Sequence, residues 1–280
     1  MQWIDTHSHL DAPEFERNGL LACELIAQSA TNNVVMSVIP AVERSNFETV
    51  RALAHQHAQA YSLGIHPLYV PRAQDADLPI LDSELNQAIK DPRWVAVGEI
   101  GLDFFVPELC TPEMRDKQTV FYRAQLKLAK QHKIPVILHV RKSADQLLHA
   151  LREIGSHGGG IAHAFNGSER QAMQFVEMGF CLGFGGTVTY ERSQHIRSLA
   201  KSLPAEAIVM ETDAPDIPPQ WLYTTAEQRA AGKPQGINSP LELPRIGSVL
   251  AGLRGVSAEA WADQTTQNAL RVLPKLKALL

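Results

Sequence analysis

The sequence predicts a (β/α)8 TIM barrel, an α/β fold of eight parallel strands alternating with helices. Three observations carry that prediction. Eight short apolar runs alternate with amphipathic segments. The 280 residues lie close to the roughly 250 typical of such barrels. Polar side chains of metal-binding type stand where most of the apolar runs end. One domain over residues 1–280 is expected, because the length fills one large α/β unit and no linker, repeat or low-complexity tract divides it.

The apolar runs are WIDTHSH from Trp3, NVVMSVIP from Asn33, AYSLGIHP from Ala60 and WVAVGEIGLD from Trp94, then IPVILHV from Ile134, GIAHAF from Gly160, GFCLGFGG from Gly179 and AIVMETDAP from Ala207. Near-continuous apolar character marks strands buried on both faces, as in parallel sheets. Between them, Phe47, Val50 and Ala54 recur at helical spacing. Thr111-Pro112-Glu113 reads as an N-cap, a proline at the first helical position and an acidic first turn, after which Phe121, Ala124 and Leu128 continue an apolar stripe. Ser257 is expected to cap a last helix running from Ala258 towards Val272. Residues 215–219 and 231–240 read as long loops. An open doubly wound sheet would carry a glycine-rich phosphate loop after its first strand, and DTHSHLD stands there instead.

Composition narrows the function. Hydrophobic residues at 45% supply a core, and a net charge of −4 lacks the Lys and Arg excess of a protein that coats nucleic acid. A DNA substrate would therefore be held at a local site. Cys23, Cys110 and Cys181 are odd in number and far apart, which predicts a reducing compartment and a cytoplasmic protein. Neither a signal peptide nor a membrane span is expected, and no protein partner is readable.

Polar residues inside buried strands need a reason, and these gather at one place. His7 and His9 end the first strand, His66 the third, Glu99 the fourth, His139 the fifth, His163 the sixth and Asp213 the eighth. The C-terminal rim of the strands is where this fold carries its chemistry. Residues two apart on a strand share a face, so His7 and His9 can point together, as can Glu211 and Asp213. A single rim histidine reads equally well as a hydrogen-bonded core residue. A carboxylate within a barrel strand is costly unless paired or metal-bound, so Glu99 and Asp213 favour a metal site. His7, His9, Glu99, His139, His163 and Asp213 are its expected ligands, a mixed nitrogen and oxygen set suited to Zn²⁺ or a neighbouring metal. His55, His57, His132, His149 and His195 fall in predicted helices and His157 in a glycine-rich loop, and all six are expected to be structural or solvated.

With DTHSHLD at Asp5, GIHP at Gly64, GEIGLDF at Gly98, LHVRKS at Leu138, HAFNGS at His163 and ETDAP at Glu211, the chain resembles the TatD-type metal-dependent hydrolases and deoxyribonucleases. The resemblance runs in order over nearly the whole sequence, and GEIGLDF with ETDAP is its most specific part. It implies an amidohydrolase-like barrel with two divalent ions per subunit, drawn from Zn²⁺, Mn²⁺, Ni²⁺ and Mg²⁺. One ion would lie among His7, His9, Glu99 and Asp213 and the second between His139 and His163, with Glu99 bridging. Glu99 and Asp213 are the expected catalytic carboxylates, Asp213 reading equally as general base and as ligand alone. His66 and Arg141 would contact the phosphate or leaving group, while Glu211 and Asp103 orient ligands. GFGGT after Gly183 would sit where barrels often seat phosphate, although tight-loop glycines read the same way. The chain departs from the family pattern at Ala164 and Asn166, where cysteine and serine are usual, and has no basic residue immediately before Asn238.

The function expected is metal-dependent phosphodiester hydrolysis on DNA ends, nucleotides or another small phosphoester. The alternative is an amidohydrolase or lactonase acting on a small molecule. Those enzymes often carry a carbamylated lysine where Glu99 stands. A binding protein that retains the metal site as a relic is a third reading, and nothing in the ligand set is disabled.

Overall fold

The protein is described by a computed structural model covering residues 1–155 and 158–280, so that His157 lies outside the described residues. Among the described residues eight strands form one parallel sheet in sequence order. They are β1 (Trp3–Asp5), β2 (Val34–Pro40), β3 (Ala60–Leu63), β4 (Trp94–Asp103), β5 (Val136–Arg141), β6 (Gly160–His163), β7 (Phe180–Phe184) and β8 (Ile208–Met210). The ring closes beyond the ends of β1 and β8. Thr6 N–H donates to the Met210 carbonyl at 3.0 Å, Asp213 N–H to His7 at 2.9 Å and His9 N–H to Ala214 at 2.7 Å. A lone parallel bridge joins Ser8 to Ala214.

One buried cluster draws residues from all eight strands, among them Ile4, Val38, Ala60, Val95, Ile137 and Val209, and only the barrel interior can bring these together. Leu273 and Leu276 join the same cluster from the C-terminal end of the chain. Stepping two residues along three strands leads from this apolar layer to a polar one, from Ile137 to His139, Ile161 to His163 and Val209 to Glu211. The alternation of the strands thus places the chemistry directly above the core. A second, larger cluster packs the outer faces of the strands against the helices.

The helices follow their sequence signals with one rotation. Phe47–Gln56 buries Phe47, Val50 and Ala54. Thr111 caps Pro112–His132 by accepting the Met114 N–H at 3.3 Å, and Ser257 caps Ala258–Val272 through Ala260 at 3.2 Å. The expected stripe through Ala124 and Leu128 is only the margin of the buried face, which runs through Gln118, Phe121, Tyr122, Gln125, Leu126 and Ala129. Two glutamines disguise it, because both are polar yet face inward. Gln118 accepts the Asp103 N–H at 2.8 Å. Gln125 accepts the Ile65 N–H at 2.7 Å and donates to the Ile65 carbonyl at 3.0 Å. This helix therefore ties down the chain at the end of β4 and just after β3.

Three strands are shorter than their apolar runs suggest. β1 stops at Asp5, β3 at Leu63 and β8 at Met210, so His7, His9, His66 and Asp213 lie on the segments that follow. No helix among the described residues is long and apolar enough to cross a membrane.

Gly247 lies inside the helix Leu243–Arg254, where a Cβ would meet the Trp3 indole at 2.2 Å. Alanine is favoured over glycine in a helix by about 1 kcal/mol, but overpacking a rigid core site costs about 1–3 kcal/mol. Gly247→Ala should therefore lower stability by up to about 2 kcal/mol. Urea denaturation would measure this, and a stabilised variant would contradict the packing described.

Candidate metal centre

The residues that the sequence marks come together at the rim. Ser8 is paired with Ala214, so its neighbours His7 and His9 turn their rings to one side, their Nε2 atoms 3.2 Å apart. Glu99 comes from β4 just where the register against β5 shifts, between Val97 and Ile100. His139 and His163 are register partners on β5 and β6. Asp213 lies past β8 at a φ of 58°, so a backbone turn, not strand alternation, brings it round. Glu211 and Asp213 nonetheless reach the same ring, with His163 Nδ1 3.3 Å from Glu211 Oε1 and Nε2 3.8 Å from Asp213 Oδ1.

Glu99 is the hub, buried to 1% exposure. Its Oε2 lies 3.1 Å from His7 Nε2 and 3.7 Å from His9 Nε2. Its Oε1 lies 3.0 Å from His139 Nδ1, 3.2 Å from His66 Nε2 and 3.7 Å from His163 Nε2. Asp213 Oδ1 is 3.6 Å from the Nε2 of both His7 and His9. Three overlapping groups result, each compact enough to share one ion. They are His7, His9 and Asp213; His7, Glu99 and His163; and His66, Glu99 and His139. His163 stacks on His7 with ring centroids 3.8 Å apart, lying nearer the first group than the expected pairing with His139 implies.

The electrostatics ask for positive charge. Burial and the neighbouring His163 hold His7 well below the ordinary histidine range, so it is neutral with a lone pair to offer. Burial pushes Asp213 up to about 6, against the pull of His163 and His9. Burial opposes a charge on His163, but Asp213, Glu211 and Glu99 together raise it far above the ordinary range. Carboxylates that hold a buried imidazole protonated would equally favour a cation. With neutral imidazole lone pairs beside them, these residues fit divalent metal ions.

The surrounding residues fix tautomers. Asp103 accepts the Phe105 and Val106 N–H groups at 2.8 and 3.0 Å on Oδ1 and faces His139 Nε2 at 3.0 Å with Oδ2. Burial opposes a charge on His139, but Asp103 and Glu99 raise the ring. In the neutral form a proton on Nε2 against Asp103 would leave the Nδ1 lone pair for a cation. His66 has the opposite arrangement. Its Nδ1 accepts the Leu68 N–H at 3.1 Å, so the neutral ring carries its proton on Nε2. That makes His66 a donor in the cluster, and burial keeps the ring neutral by lowering it to about 4. Glu211 Oε1 accepts the Ala164 N–H at 2.6 Å. Its other oxygen occupies the space above Gly183, where a Cβ would lie 2.0 Å away. Gly183, Gly185 and Gly186 are thus explained by close packing against Glu211 and the Ile217 carbonyl.

Arg141 stays outside the cluster. Its guanidinium is 49% exposed, 3.9 Å from Asp103, and stacks 4.1 Å over the Phe105 ring at the edge of a cleft of about 1330 Å³. Four helical histidines have structural partners instead. His55 pairs with Asp91 at 2.8 Å, His132 with Asp82 at 3.3 Å and His149 with Glu153 at 3.6 Å, while His195 bonds the Gly167 carbonyl at 2.9 Å. His57 ends its helix as the C-cap.

Two supports escaped the sequence reading. Asp5, fully buried, accepts the Thr212 N–H at 2.9 Å and hydroxyl at 2.6 Å, and burial raises it to about 7. The argument applied to Glu99, that an acid inside a strand needs a reason, would have found it. Asn238 donates to the Thr212 carbonyl at 2.7 Å and the Asp216 carbonyl at 2.9 Å, pinning the loop that carries Asp213.

The model of the TatD-related DNase family matches residues 4–274. The chain belongs to the TatD family of metal-dependent hydrolases. An uncharacterized metal-dependent hydrolase of Haemophilus influenzae is 35% identical over 97% of this chain and 99% of its own. The deoxyribonuclease TATDN3 of Homo sapiens is 30% identical over 99% of this chain and 96% of that protein. Among solved structures, the TatD homologue YjjV of Escherichia coli superposes with a TM-score of 0.83 at 34% identity, covering 97% of this chain and 98% of that one. An organophosphorus hydrolase variant from Deinococcus radiodurans, 14% identical with a TM-score of 0.59, shares the barrel fold.

Two substitutions test this TatD-family site. Asp103→Asn removes the charge that orients His139 and should cost roughly 10- to 100-fold in activity or metal affinity. Burial raises the Asp103 carboxyl, but His139 and the two backbone N–H groups bring it down to about 2 from 3.8. Its contribution to stability is complete above 3.8 and lost as the pH falls towards 2, so the stability gap between wild type and Asp103→Asn should close over that window. Equal gaps at neutral and acid pH would refute the orientation. Gly183→Ala should displace Glu211 from His163, with a stability loss of about 1–3 kcal/mol and an activity loss of at least about tenfold. Full activity in that variant would show that Glu211 does not support His163.

Proposed function

We propose that this TatD-family protein hydrolyses phosphodiester bonds in DNA ends or nucleotides, using two divalent ions held around Glu99. One observation carries the reading. The two oxygens of a single buried carboxylate face separate sets of imidazoles, Oε2 towards His7 and His9 and Oε1 towards His139 and His163. A carboxylate so placed suits two-metal phosphoryl chemistry, in which the cations lie ~3.5–4 Å apart. His7, His9, Glu99 and Asp213 would hold one ion and His139 with His163 the other. The identity of the human relative as a deoxyribonuclease supports the same bond class.

Bound divalent ions supply positive charge against the phosphate and acidify a water molecule. The protein's own groups do the rest. Asp213 lines the cleft with Oδ1 3.6 Å from the Nε2 atoms of His7 and His9, so it is the carboxylate placed to accept a proton beside the first ion. It takes the proton of the attacking water as the phosphorus–oxygen bond to the leaving group breaks. His66 presents its Nε2–H to a phosphate oxygen or the leaving oxygen, a role its tautomer favours over ligation. Arg141 reaches the outer phosphate from the cleft edge, its planar guanidinium suited to two phosphate oxygens. The hydrolase unit is one domain over 1–280. Three free cysteines support a reducing, cytoplasmic setting.

The test is nucleotide release from 3′-labelled single-stranded DNA by metal-stripped protein, with Mg²⁺, Mn²⁺, Ni²⁺ or Zn²⁺ returned. Release should depend on metal and fall by at least ~10²-fold in Glu99→Ala, whose circular dichroism should match wild type. No release with any of the four metals, or a fully active Glu99→Ala, would sink the proposal.

A further inference from the structure

A second pocket of about 450 Å³ opens beside the metal cleft. That size lies within the ~300–1,000 Å³ of small-ligand sites. Thr187 and Ile217 line both spaces, so the pocket continues the cleft that holds Glu99 and Asp213. Its walls come from two loops, one after β7 and one after β8. Thr189 ties them, its hydroxyl donating to the Gly186 carbonyl at 2.6 Å and accepting the Gln220 N–H at 2.8 Å.

Two aromatic rings and the Arg229 guanidinium line this pocket, and Arg192 stands beside both rings. The Tyr190 and Tyr223 rings meet edge to face with centroids 5.8 Å apart. The Tyr190 hydroxyl donates to the Pro218 carbonyl at 2.8 Å, which fixes that ring. Arg192 sits 5.4 Å from the Tyr190 centroid and 5.7 Å from that of Tyr223, while Arg229 is 5.8 Å from Tyr223. Arg229 bonds the Thr224 carbonyl and Gln235. Among the described residues neither arginine is paired with a carboxylate, whereas Arg72 in the main cleft is neutralised by Glu43 at 2.6 Å. Hydrogen bonding to Arg229 first, with its charge and Arg192 behind it, holds the exposed Tyr223 phenol below its ordinary range. In a chain of net charge −4, an unneutralised cationic and aromatic corner opening onto the metal cleft has a specific chemistry.

We infer that this pocket is a nucleotide subsite, in which Tyr223 and Tyr190 stack one base of a single strand and Arg192 and Arg229 hold its adjoining phosphate. Rings that accept any base face, beside guanidiniums that follow the backbone, are how single-stranded nucleic acid is bound without sequence preference. The inference deepens the phosphodiesterase reading and rests on it for the identity of the ligand. A substrate held here reaches the metal cleft past Thr187 and Ile217, which gives a predominantly acidic protein a local grip on an anionic polymer.

The experiment measures fluorescence anisotropy of a 5′-labelled, phosphorothioate-linked ten-thymidine strand and of an abasic strand of equal length, with the full-length protein as purified. Tyr223→Ala should weaken binding of the thymidine strand by about tenfold or more, leave the abasic strand unchanged, and be rescued by Tyr223→Phe. Arg192→Ala should weaken both strands and flatten the salt dependence. In turnover, Tyr223→Ala should raise KM for single-stranded DNA with little change in kcat. Thymidine binding unaffected by Tyr223→Ala, equal losses on both strands, or no strand binding by wild type would each overturn the subsite. Tyr223-dependent binding without phosphodiester cleavage would support the subsite and refute the proposed reaction. Cleavage with an unchanged KM in Tyr223→Ala would do the reverse.

Discussion

Three backbone hydrogen bonds, from the residues after β1 to the end of β8 and the residues beyond it, close the barrel, and His7, His9 and Asp213 hang from them. They join Thr6 to Met210, His7 to Asp213 and His9 to Ala214. Because the ladder proper ends below, these bonds act as both the last rung of the sheet and the mount for His7, His9 and Asp213. Asp5 and Thr212 reinforce the same seam from beneath, and Asn238 braces it from the side. In most barrels the fold can be described without reference to the site. Here the closure of the ring and the assembly of the ligands are one event, so disruption of either would be felt in both.

Above that seam the site is an electrostatic argument held in place by packing. Glu99 lies within 3.7 Å of five histidines and is held ionised, with His66 donating to it and a charged His163 beside it, although burial works against it. Glu211 and Asp213 hold His163 between them from opposite ring nitrogens. Two tautomers are set by single backbone or carboxylate partners, so His139 in its neutral form faces the cluster with a lone pair and His66 with a proton. Chemically similar side chains thereby take different parts. The division of labour depends on what lies behind each ring, more than on which residue it is.

Much of this was legible in the residues themselves. Eight apolar runs gave the strand number, and the position of each metal-capable side chain near the end of a run placed it at the rim. Motif order gave the family. What escaped notice had its cause in polarity that does not mean exposure. Gln118 and Gln125, outside the apolar stripe through Phe121, Ala124 and Leu128, face inward to satisfy backbone groups at Asp103 and Ile65. Asp213 reaches the cluster by a positive φ that no alternation rule anticipates. The ends of β1, β3 and β8 were overestimated because residues 6–9, 64–66 and 211–213 carry on towards the rim after the continuous ladder has stopped. The Tyr190 and Tyr223 pocket was invisible for another reason, since its rings and arginines come from loops far apart in sequence and meet only through the fold.

The contact between Gly183 and Glu211 reaches past the present molecule to the sequences it can become. One oxygen of Glu211 fills the volume a side chain at 183 would need. The two positions, one on β7 and one just past the end of β8, are therefore a single choice written twice. A methyl group at 183 becomes tolerable only if the acid at 211 shortens or leaves, and a shorter acid withdraws from His163. Drift at either position alone leads downhill. Related chains that depart here should be found to depart at both places together.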